Sequence, residues 1–334
     1  MRPQARRRVG LIGLVLVGLA LTPAQADEEV EAWLDRMSRA VDSLNYRGTL
    51  VHMRNGHVDT LRIVHRSDEN GIRERIYSMD GPPREILRDG NQVRTLLEGN
   101  QPLIVQGGIG ARLLPHLPIS RSSSPILAYR MRFAGTERVA GMTARVIEIR
   151  PRDQFRYGHR FWLEERTGML LRSALLDHAG RHLQKLTFVD IELGVPISDA
   201  ELMPGIEVRD APEATMAEQS VAPPAAASEL RQATWTPARV PDGFRLASVG
   251  KGVSPDGQAF EHLLFSDGLT AFSVYVEEAR GREASERIEA VGPVHIYTGM
   301  VEQHRVTVVG EVPSATVALI AQQLQRRRAR GQEP

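Results

Sequence analysis

Residues 46–66 read YRGTLVHMRNGHVDTLRIVHR, and this stretch decides the class of fold. Residues 49–53 and 58–65 are rich in β-branched and apolar side chains, and they flank Asn55-Gly56. Asn-Gly is the strongest short-range signal for a two-residue hairpin turn, because both residues accept positive φ at little steric cost. The stretch therefore predicts two antiparallel strands joined by a tight turn.

Further strand-like segments extend this hairpin into an antiparallel meander. Residues 74–79, 85–88 and 92–97 are separated by Gly-Pro and Asp-Gly turn signals, and strand character returns over residues 129–193. Several of these strands are apolar on both faces, as in the Phe161-Trp162-Leu163 segment. A sheet with one wet face alternates more cleanly. The residues favour a filled core and leave a ligand cavity open as the alternative.

Two other segments flank these strands. Residues 28–44 predict an amphipathic helix, because their apolar side chains recur at helical spacing. Residues 107–124 are rich in Gly, Pro and Ser, and they predict a long excursion with a short helix near residues 111–117. Excursions of this length inside a compact domain are more often functional than accidental.

The first 26 residues predict a secretory signal peptide that is cleaved after Ala26. Four arginines precede an uncharged apolar run over residues 9–21, and Ala24-Gln25-Ala26 fits the small-x-small cleavage pattern. The run is shorter than the roughly 20 residues that a membrane-spanning helix needs. Removing this segment, which contains no acidic residue, changes the formal net charge from +1 to −3.

The mature chain is predicted to form two unequal domains. Residues 209–232 are rich in Ala, Pro, Glu and Ser, and they predict a linker between a domain at 27–208 and one at 233–334. Strands are expected in the second domain at the segments listed next, with a closing helix over residues 313–328. These segments are residues 263–265, 271–276, 294–298 and 301–309.

Composition excludes several chemistries. The chain has no cysteine, which removes disulfides, thiol nucleophiles and Cys-ligated metals. Its ten histidines show no metalloprotease spacing, and no serine lies in a nucleophile elbow, so we predict no catalytic residue, metal or cofactor. Aromatic residues make up only 5%, which is thin for base stacking and argues against nucleic acid as a partner. The sequence leaves open whether the chain forms a homo-oligomer.

Six segments of the chain resemble the RseB/MucB family of periplasmic regulators of the sigma-E (AlgU) envelope-stress response. Three lie in the first predicted domain: residues 46–66, RERIYSMDGPPREILR at 73–88, and RPRDQFRYGHRFWLEERTGMLL at 150–171. Three lie in the second: VPDGF at 240–244, HLLFSDGLTAFSVYV at 262–276, and VTVVGEVPSAT at 306–316.

The resemblance implies an α+β fold. The larger domain would be a curved, unclosed antiparallel β-barrel with helices in its opening, similar to the lipoprotein carriers LolA and LolB. The smaller C-terminal domain would be a sheet covered by a helix. Under this resemblance the ligand cavity becomes a lipid pocket, and its expected lining, chosen from position, is Leu87, Leu96, Leu97, Ile104 and Trp162.

The resemblance also implies a partner. Proteins of this kind bind the periplasmic region of a membrane anti-sigma factor (RseA or MucA) and shield it from regulated proteolysis. Lipid, lipopolysaccharide or lipoprotein signals release the shield. The expected partner surface contains Phe272, Tyr275 and Tyr297. The alternatives are a periplasmic lipid or lipoprotein carrier without a signalling role, and an exported hydrolase built on Ser254.

Overall fold

The structure is a computed structural model, and the residues that it describes form three sheets and three helices. The described residues are 23–90, 92–97, 103–106, 113–114, 128–206, 214–216, 233–253, 257–279 and 285–327. Most of the predicted signal peptide, excursion and linker, together with Ser254, lies outside them. Within these ranges, no helix combines the length and the apolar character that a membrane span requires.

The first sheet has twelve strands. In chain order they are β1 (Tyr46–Arg54), β2 (His57–Asp68), β3 (Gly71–Ser78), β4 (Arg84–Asp89), β5 (Gln92–Leu97), β6 (Leu103–Gln106), β7 (Tyr129–Val139), β8 (Met142–Pro151), β9 (Gly158–Glu164), β10 (Leu170–Leu176), β11 (His182–Leu193) and β12 (Ala214–Met216). Their spatial order is β12-β6-β5-β4-β3-β2-β1-β11-β10-β9-β8-β7, and only the β12–β6 pair is parallel. Within the described residues the edge strands β12 and β7 do not pair, so the sheet is unclosed.

The hairpin predicted from Asn55-Gly56 is confirmed. Strands β1 and β2 pair from Tyr46–His65 to Arg54–His57, and the turn residues have φ of 55° and 77°. Positive φ at both positions is what the two-residue turn demands. The prediction missed β6 and β12, which lie beside segments rich in Gly, Pro or Ala.

Helix α1 (Pro23–Ser43) covers one face of this sheet, which we call the helix face. Val30, Leu34 and Met37 of α1 are completely buried against sheet residues such as Ile63 and Ile147. These apolar side chains recur every three or four residues, so they share one side of the helix. Packing of this stripe on the sheet closes the first core.

The first sheet is strongly curved. The Cα atoms of β7 and β11 approach within 8 Å of each other although β8, β9 and β10 lie between them. In a flat sheet, four strand spacings would hold these strands about 19 Å apart. The other side of the sheet, which we call the opposite face, is partly covered by the short helix α2 (Asp199–Leu202).

The second sheet has six strands and its own hydrophobic core. Its strands are β14 (Arg245–Val253), β15 (Ala259–Ser266), β16 (Ala271–Glu278), β17 (Arg287–Val291), β18 (Val294–Val301) and β19 (His304–Gly310). Helix α3 (Ser314–Gln323) packs on it, and β13 (Trp235–Pro237) pairs with β20 (Leu324–Arg326) as a separate two-stranded sheet.

The prediction for this part of the chain omitted β13, β14 and β17, and two further boundaries differ from it. The closing helix ends at Gln323, because residues 324–326 pair with β13 instead and Leu324 is buried there. The single strand predicted over residues 301–309 is split by a turn at Glu302-Gln303, where both residues have positive φ. Neither change alters the apolar spacing that the sequence showed.

Candidate functional site at the junction of the two sheets

The structure separates the residues that were predicted to line a lipid pocket. Leu87 and Leu96 are buried side chains on β4 and β5, where strand register places both on the opposite face. Ile104 pairs with Arg94 and so belongs to the same face by register. Leu97 lies on the helix face and is 38% exposed.

Trp162 lies on β9, six strand positions away from β4. Its ring is buried, with the guanidinium carbon of Arg172 at 5.1 Å and that of Arg160 at 6.0 Å. Its indole Nε1 has no hydrogen-bond partner among the described residues. Leu87 and Leu96 therefore lie near each other, Leu97 and Trp162 lie apart from them, and the lipid pocket stays a prediction.

Two cavities lie elsewhere. An open depression of about 330 Å³ is lined by residues 53–57 and 182–185, at the tip of the β1–β2 hairpin. A second space of about 10 Å³ lies between the end of α1 and His65, Glu74 and Arg88. The second has room for about one water molecule. None of Leu87, Leu96, Leu97 and Trp162, whose side chains the structure describes, lines either of them.

The predicted partner residues lie on the second sheet. Phe272 is 1% exposed and stacks on Phe265, and Tyr297 is buried with its hydroxyl donating to Glu286 Oε1 at 2.6 Å. Tyr275 is half-buried, and its ring stacks on His262. In this conformation Tyr275 alone of the three offers appreciable surface to a partner.

A buried arginine joins the two sheets. Arg156, in the turn between β8 and β9, has no exposed side-chain surface, and its Nη1 donates to Asp267 Oδ2 at 2.6 Å. Asp267 follows β15 and is equally buried. The Arg156 Nη2 also donates to the Asp242 carbonyl at 2.6 Å, and Asp153 Oδ2 lies 3.0 Å away. Arg156 therefore pairs with Asp153 on its own side of the junction and with Asp242 and Asp267 on the other side.

Aromatic rings enclose this ion pair. The Arg156 guanidinium carbon lies 4.6 Å from the centre of the Phe244 ring and 5.3 Å from that of Tyr129. The Tyr129 hydroxyl donates to Asp267 Oδ2 at 2.9 Å. The other oxygen of Asp267 accepts the backbone N–H groups of residues 269 and 270. Both partners of the ion pair are therefore hydrogen-bonded on several sides, which a buried pair requires if it is to persist.

The electrostatics follow from this burial. Burial and the negative charge of Asp267 raise the pKa of Tyr129 well above its usual range. For Arg156, burial alone would lower the pKa, but the neighbouring negative charges, including Asp267 and Asp153, outweigh burial and raise the pKa above its usual value. Arg156 is thus charged and Tyr129 neutral at any physiological pH.

Further contacts cross the same junction. Thr316 Oγ1 of α3 donates to the Phe155 carbonyl at 2.6 Å, and the Tyr157 hydroxyl lies 3.4 Å from His295 Nδ1. Burial and the charge of Glu311 raise the pKa of Tyr157 to about 12.

The tip of the β1–β2 hairpin also touches the second sheet. A Cβ on Gly292 would come within 2.6 Å of the Asn55 side chain, and φ at Gly292 is +64°. Glycine at this position therefore meets both a steric and a backbone requirement. The first sheet therefore contacts the second sheet through the hairpin tip, through the β8–β9 turn and through Tyr129 at the start of β7.

Sequence reasoning missed these junction residues. Arg156 and Asp267 lie inside the segments 150–171 and 262–276, where the two residues were used only for the family resemblance. The one available signal was an arginine flanked by aromatic residues, Phe155 and Tyr157. Among the described residues, no group of three or more His, Asp or Glu side chains is placed to hold a metal ion.

Two family models match the chain. The MucB/RseB N-terminal domain matches residues 29–206, and the MucB/RseB C-terminal domain matches residues 229–325. The sigma factor AlgU regulatory protein MucB of Pseudomonas aeruginosa is 30% identical over 320 residues, covering 92% of this chain and 94% of the relative. The sigma-E factor regulatory protein RseB of Escherichia coli K12 is 27% identical over 305 residues, covering 90% of this chain and 92% of the relative.

Solved structures agree with these matches. The complex structure of Pseudomonas aeruginosa MucA/MucB gives a TM-score of 0.70 at 27% identity, covering 90% of this chain and 100% of that one. MucB in complex with MucA(peri) gives 0.69 at 28% identity, covering 90% and 99%. A third crystal structure, of MucB, gives a TM-score of 0.58 at 26% identity, covering 90% of this chain and 98% of that one.

Proposed function

The chain belongs to the MucB/RseB family, and we propose that it holds a sigma-E/AlgU-type factor in check by binding the periplasmic region of a MucA- or RseA-like anti-sigma factor. The observation that carries the proposal is that the similarity extends through both halves of the chain. A lipid carrier of the LolA/LolB kind needs only the first. The relatives are regulatory proteins, and we propose that this chain is likewise not an enzyme.

The arrangement of the two sheets supports the same proposal. The whole chain has higher TM-scores with the two MucB structures that contain MucA, 0.70 and 0.69, than with a third MucB structure, 0.58. We infer that the junction around Arg156 holds the two sheets in an arrangement suited to the partner. A preorganised arrangement raises affinity, because less ordering entropy is lost on binding.

The proposed division of labour follows the predicted domains. Residues 1–26 would direct export to the periplasm, residues 27–208 would sense lipid through a LolA/LolB-like unclosed barrel, and residues 233–334 would contact the anti-sigma factor. The linker at 209–232 would let the domains respond to each other. The bound anti-sigma segment would lie along the second sheet and the junction, within reach of Tyr275.

Release by lipid requires a difference in affinity between two states. A ligand that binds the free regulator and the complex equally well shifts nothing. The helix face is filled by α1, whose Leu34 and Met37 are fully buried. An acyl chain that enters there must displace part of α1, so lipid would favour a conformation in which α1 is packed differently on the sheet.

The test is protection of a periplasmic anti-sigma fragment from limited proteolysis. We expect the fragment to co-elute with this protein on size exclusion and to resist cleavage, and we expect added lipid to restore cleavage. Absence of a complex would contradict the proposal. Tight lipid binding without any protection of the fragment would support the carrier alternative instead.

A further inference from the structure

One cross-strand row on the opposite face of the first sheet has exposed apolar side chains at one end and arginines, of which Arg132 is exposed, at the other. Strand register places its members side by side across β2, β1, β11, β10, β9, β8 and β7. In that order they are Val58, Met53, Lys185, Ala174, Arg160, Glu148 and Arg132. Paired residues of antiparallel strands project from the same face, so these residues follow one line across the curved sheet, in which Ala174 and Glu148 are buried.

The end of this row at β7–β9 is built around one buried carboxylate. Glu148 has no exposed surface, and Arg150 and Arg160 each donate to its Oε1 at 2.8 Å. Arg132 donates to its Oε2. Arg130 pairs with Arg150 across the strands and so belongs to the same face. We call these four arginines the arginine platform.

The platform has more positive charge than its carboxylate can neutralise. Four guanidinium groups against Glu148 give a formal charge of +3. Burial on its own raises the pKa of Glu148, but the hydrogen bonds from Arg160 and Arg150 and the charge of Arg132 outweigh it and hold that pKa at about 2. Glu148 therefore stays ionised and orients the guanidinium groups, while Arg132 and Arg150 remain 62% and 63% exposed.

The other end of the row is apolar. Met53 is 47% exposed and Val58 is 55% exposed; Met53 pairs with Lys185 on one side and with Val58 on the other. Exposed apolar side chains do not help to solvate a basic face, so their presence in the same row calls for another explanation. Cationic groups beside exposed apolar ones are the combination that binds the interface of an anionic membrane.

We propose that this row and the arginine platform dock the protein onto an anionic phospholipid surface. Guanidinium forks match the geometry of phosphate oxygens, and the open, largely exposed platform suits a layer of headgroups better than a single enclosed solute. Met53 and Val58 would enter the boundary between headgroups and acyl chains. This goes beyond the proposed function and does not depend on it.

The assay is sedimentation of the mature protein with vesicles, without any anti-sigma fragment. We expect binding to vesicles that contain phosphatidylglycerol, little binding to pure phosphatidylcholine vesicles, and weaker binding as salt rises. Each arginine near an anionic surface contributes roughly fivefold to partitioning, so the double variant Arg132→Gln/Arg150→Gln should bind about 25-fold more weakly. The double variant leaves Arg160 as the remaining partner of Glu148, so circular dichroism and the melting temperature are measured to verify its fold.

The matched control is Arg166→Gln/Arg181→Gln. These two arginines are 87% and 82% exposed in the same half of the chain, and neither belongs to the platform. The control removes the same charge and should bind within about twofold of the original protein. A second variant, Met53→Ser, should reduce vesicle binding several-fold without changing the salt dependence.

Three results would overturn the proposal. Equal loss in the platform and control variants would assign binding to net charge alone. Displacement by inorganic phosphate far beyond that of chloride at the same ionic strength would indicate a discrete phosphate site. Binding of a poly-glutamate peptide that depends on Arg132 and Arg150, without vesicle binding, would assign the platform to an acidic protein.

Discussion

Asp267→Asn is the sharpest test of the junction between the two sheets. The substitution keeps the size of the side chain and removes the charge that Arg156 contacts at 2.6 Å. Both side chains have no exposed surface, so the arginine cannot recover its lost partner from water. Removing one partner of a buried ion pair leaves an uncompensated charge, which costs several kcal/mol.

The magnitude follows from what Arg156 keeps. Asp153 Oδ2 still lies 3.0 Å away and the Asp242 carbonyl still accepts a hydrogen bond. We therefore expect the low end of the range for broken buried pairs, a loss of about 3 kcal/mol in the free energy of unfolding. Asp190→Asn is the control, because Asp190 pairs with Arg62 at the surface. Exposed pairs of that kind contribute about 1 kcal/mol or less.

Urea unfolding followed by tryptophan fluorescence and by circular dichroism measures the effect. Trp162 belongs to the first core and Trp235 to the second, so fluorescence samples both. Because the broken pair joins the two cores, we expect the unfolding curve of Asp267→Asn to show two distinct transitions, one for each core. The double variant Arg156→Met/Asp267→Asn should recover part of the loss, because it removes the unpaired charge.

A change of less than about 0.5 kcal/mol in Asp267→Asn, no larger than an ordinary surface substitution, would refute the reasoning. Strict additivity in the double variant would do the same, because it would mean that the two side chains do not interact.

Three further outcomes follow from the structure. Burial lowers the pKa of His159 to about 4, so the free energy of unfolding should fall by up to about 3 kcal/mol as pH drops from about 6.5 to 4, because only the unfolded chain takes up the proton in this range. In His159→Gln the melting temperature should depend less steeply on pH across this range. A pH dependence equal to that of the unmodified protein would contradict the assignment. Gly48→Ala should destabilise by about 2 kcal/mol, because the new Cβ would lie 2.5 Å from the Asp190 carbonyl oxygen; a melting temperature equal to that of the unmodified protein would count against this contact. Leu34→Ala should lower the free energy of unfolding by about 3 kcal/mol in chemical denaturation, since Leu34 is fully buried between α1 and the sheet; a loss below about 1 kcal/mol would mean that α1 packs loosely.

Much of the fold was readable from local pattern. Asn55-Gly56 fixed a hairpin and its register, because the turn type and the alternation of apolar side chains agree. The helix predicted over residues 28–44 is α1, displaced by a few residues at its start. The closing helix was overextended, since nothing in residues 324–326 themselves reveals that Trp235 and its neighbours offer them a strand to pair with.

The candidate sites were less readable. Leu87 and Leu97 were predicted to share a pocket, but the register places them on different faces of the sheet. Arg156 looked like one arginine among many, because its importance depends on Asp267, which is more than a hundred residues away in the chain. The arginine platform escaped notice for the same reason, since its members come from three different strands.

The sequence by itself determined the antiparallel sheets, the family and the absence of thiol chemistry, because these depend on spacing and composition along the chain. Only the tertiary structure decided which charges are buried together, which face each strand residue occupies, and how the two sheets are joined. The physical reason is that pairing across strands is a long-range choice. A shift of one residue in register moves every side chain to the other face, and outside tight hairpins such as β1–β2 the packing of both cores is needed to fix that register.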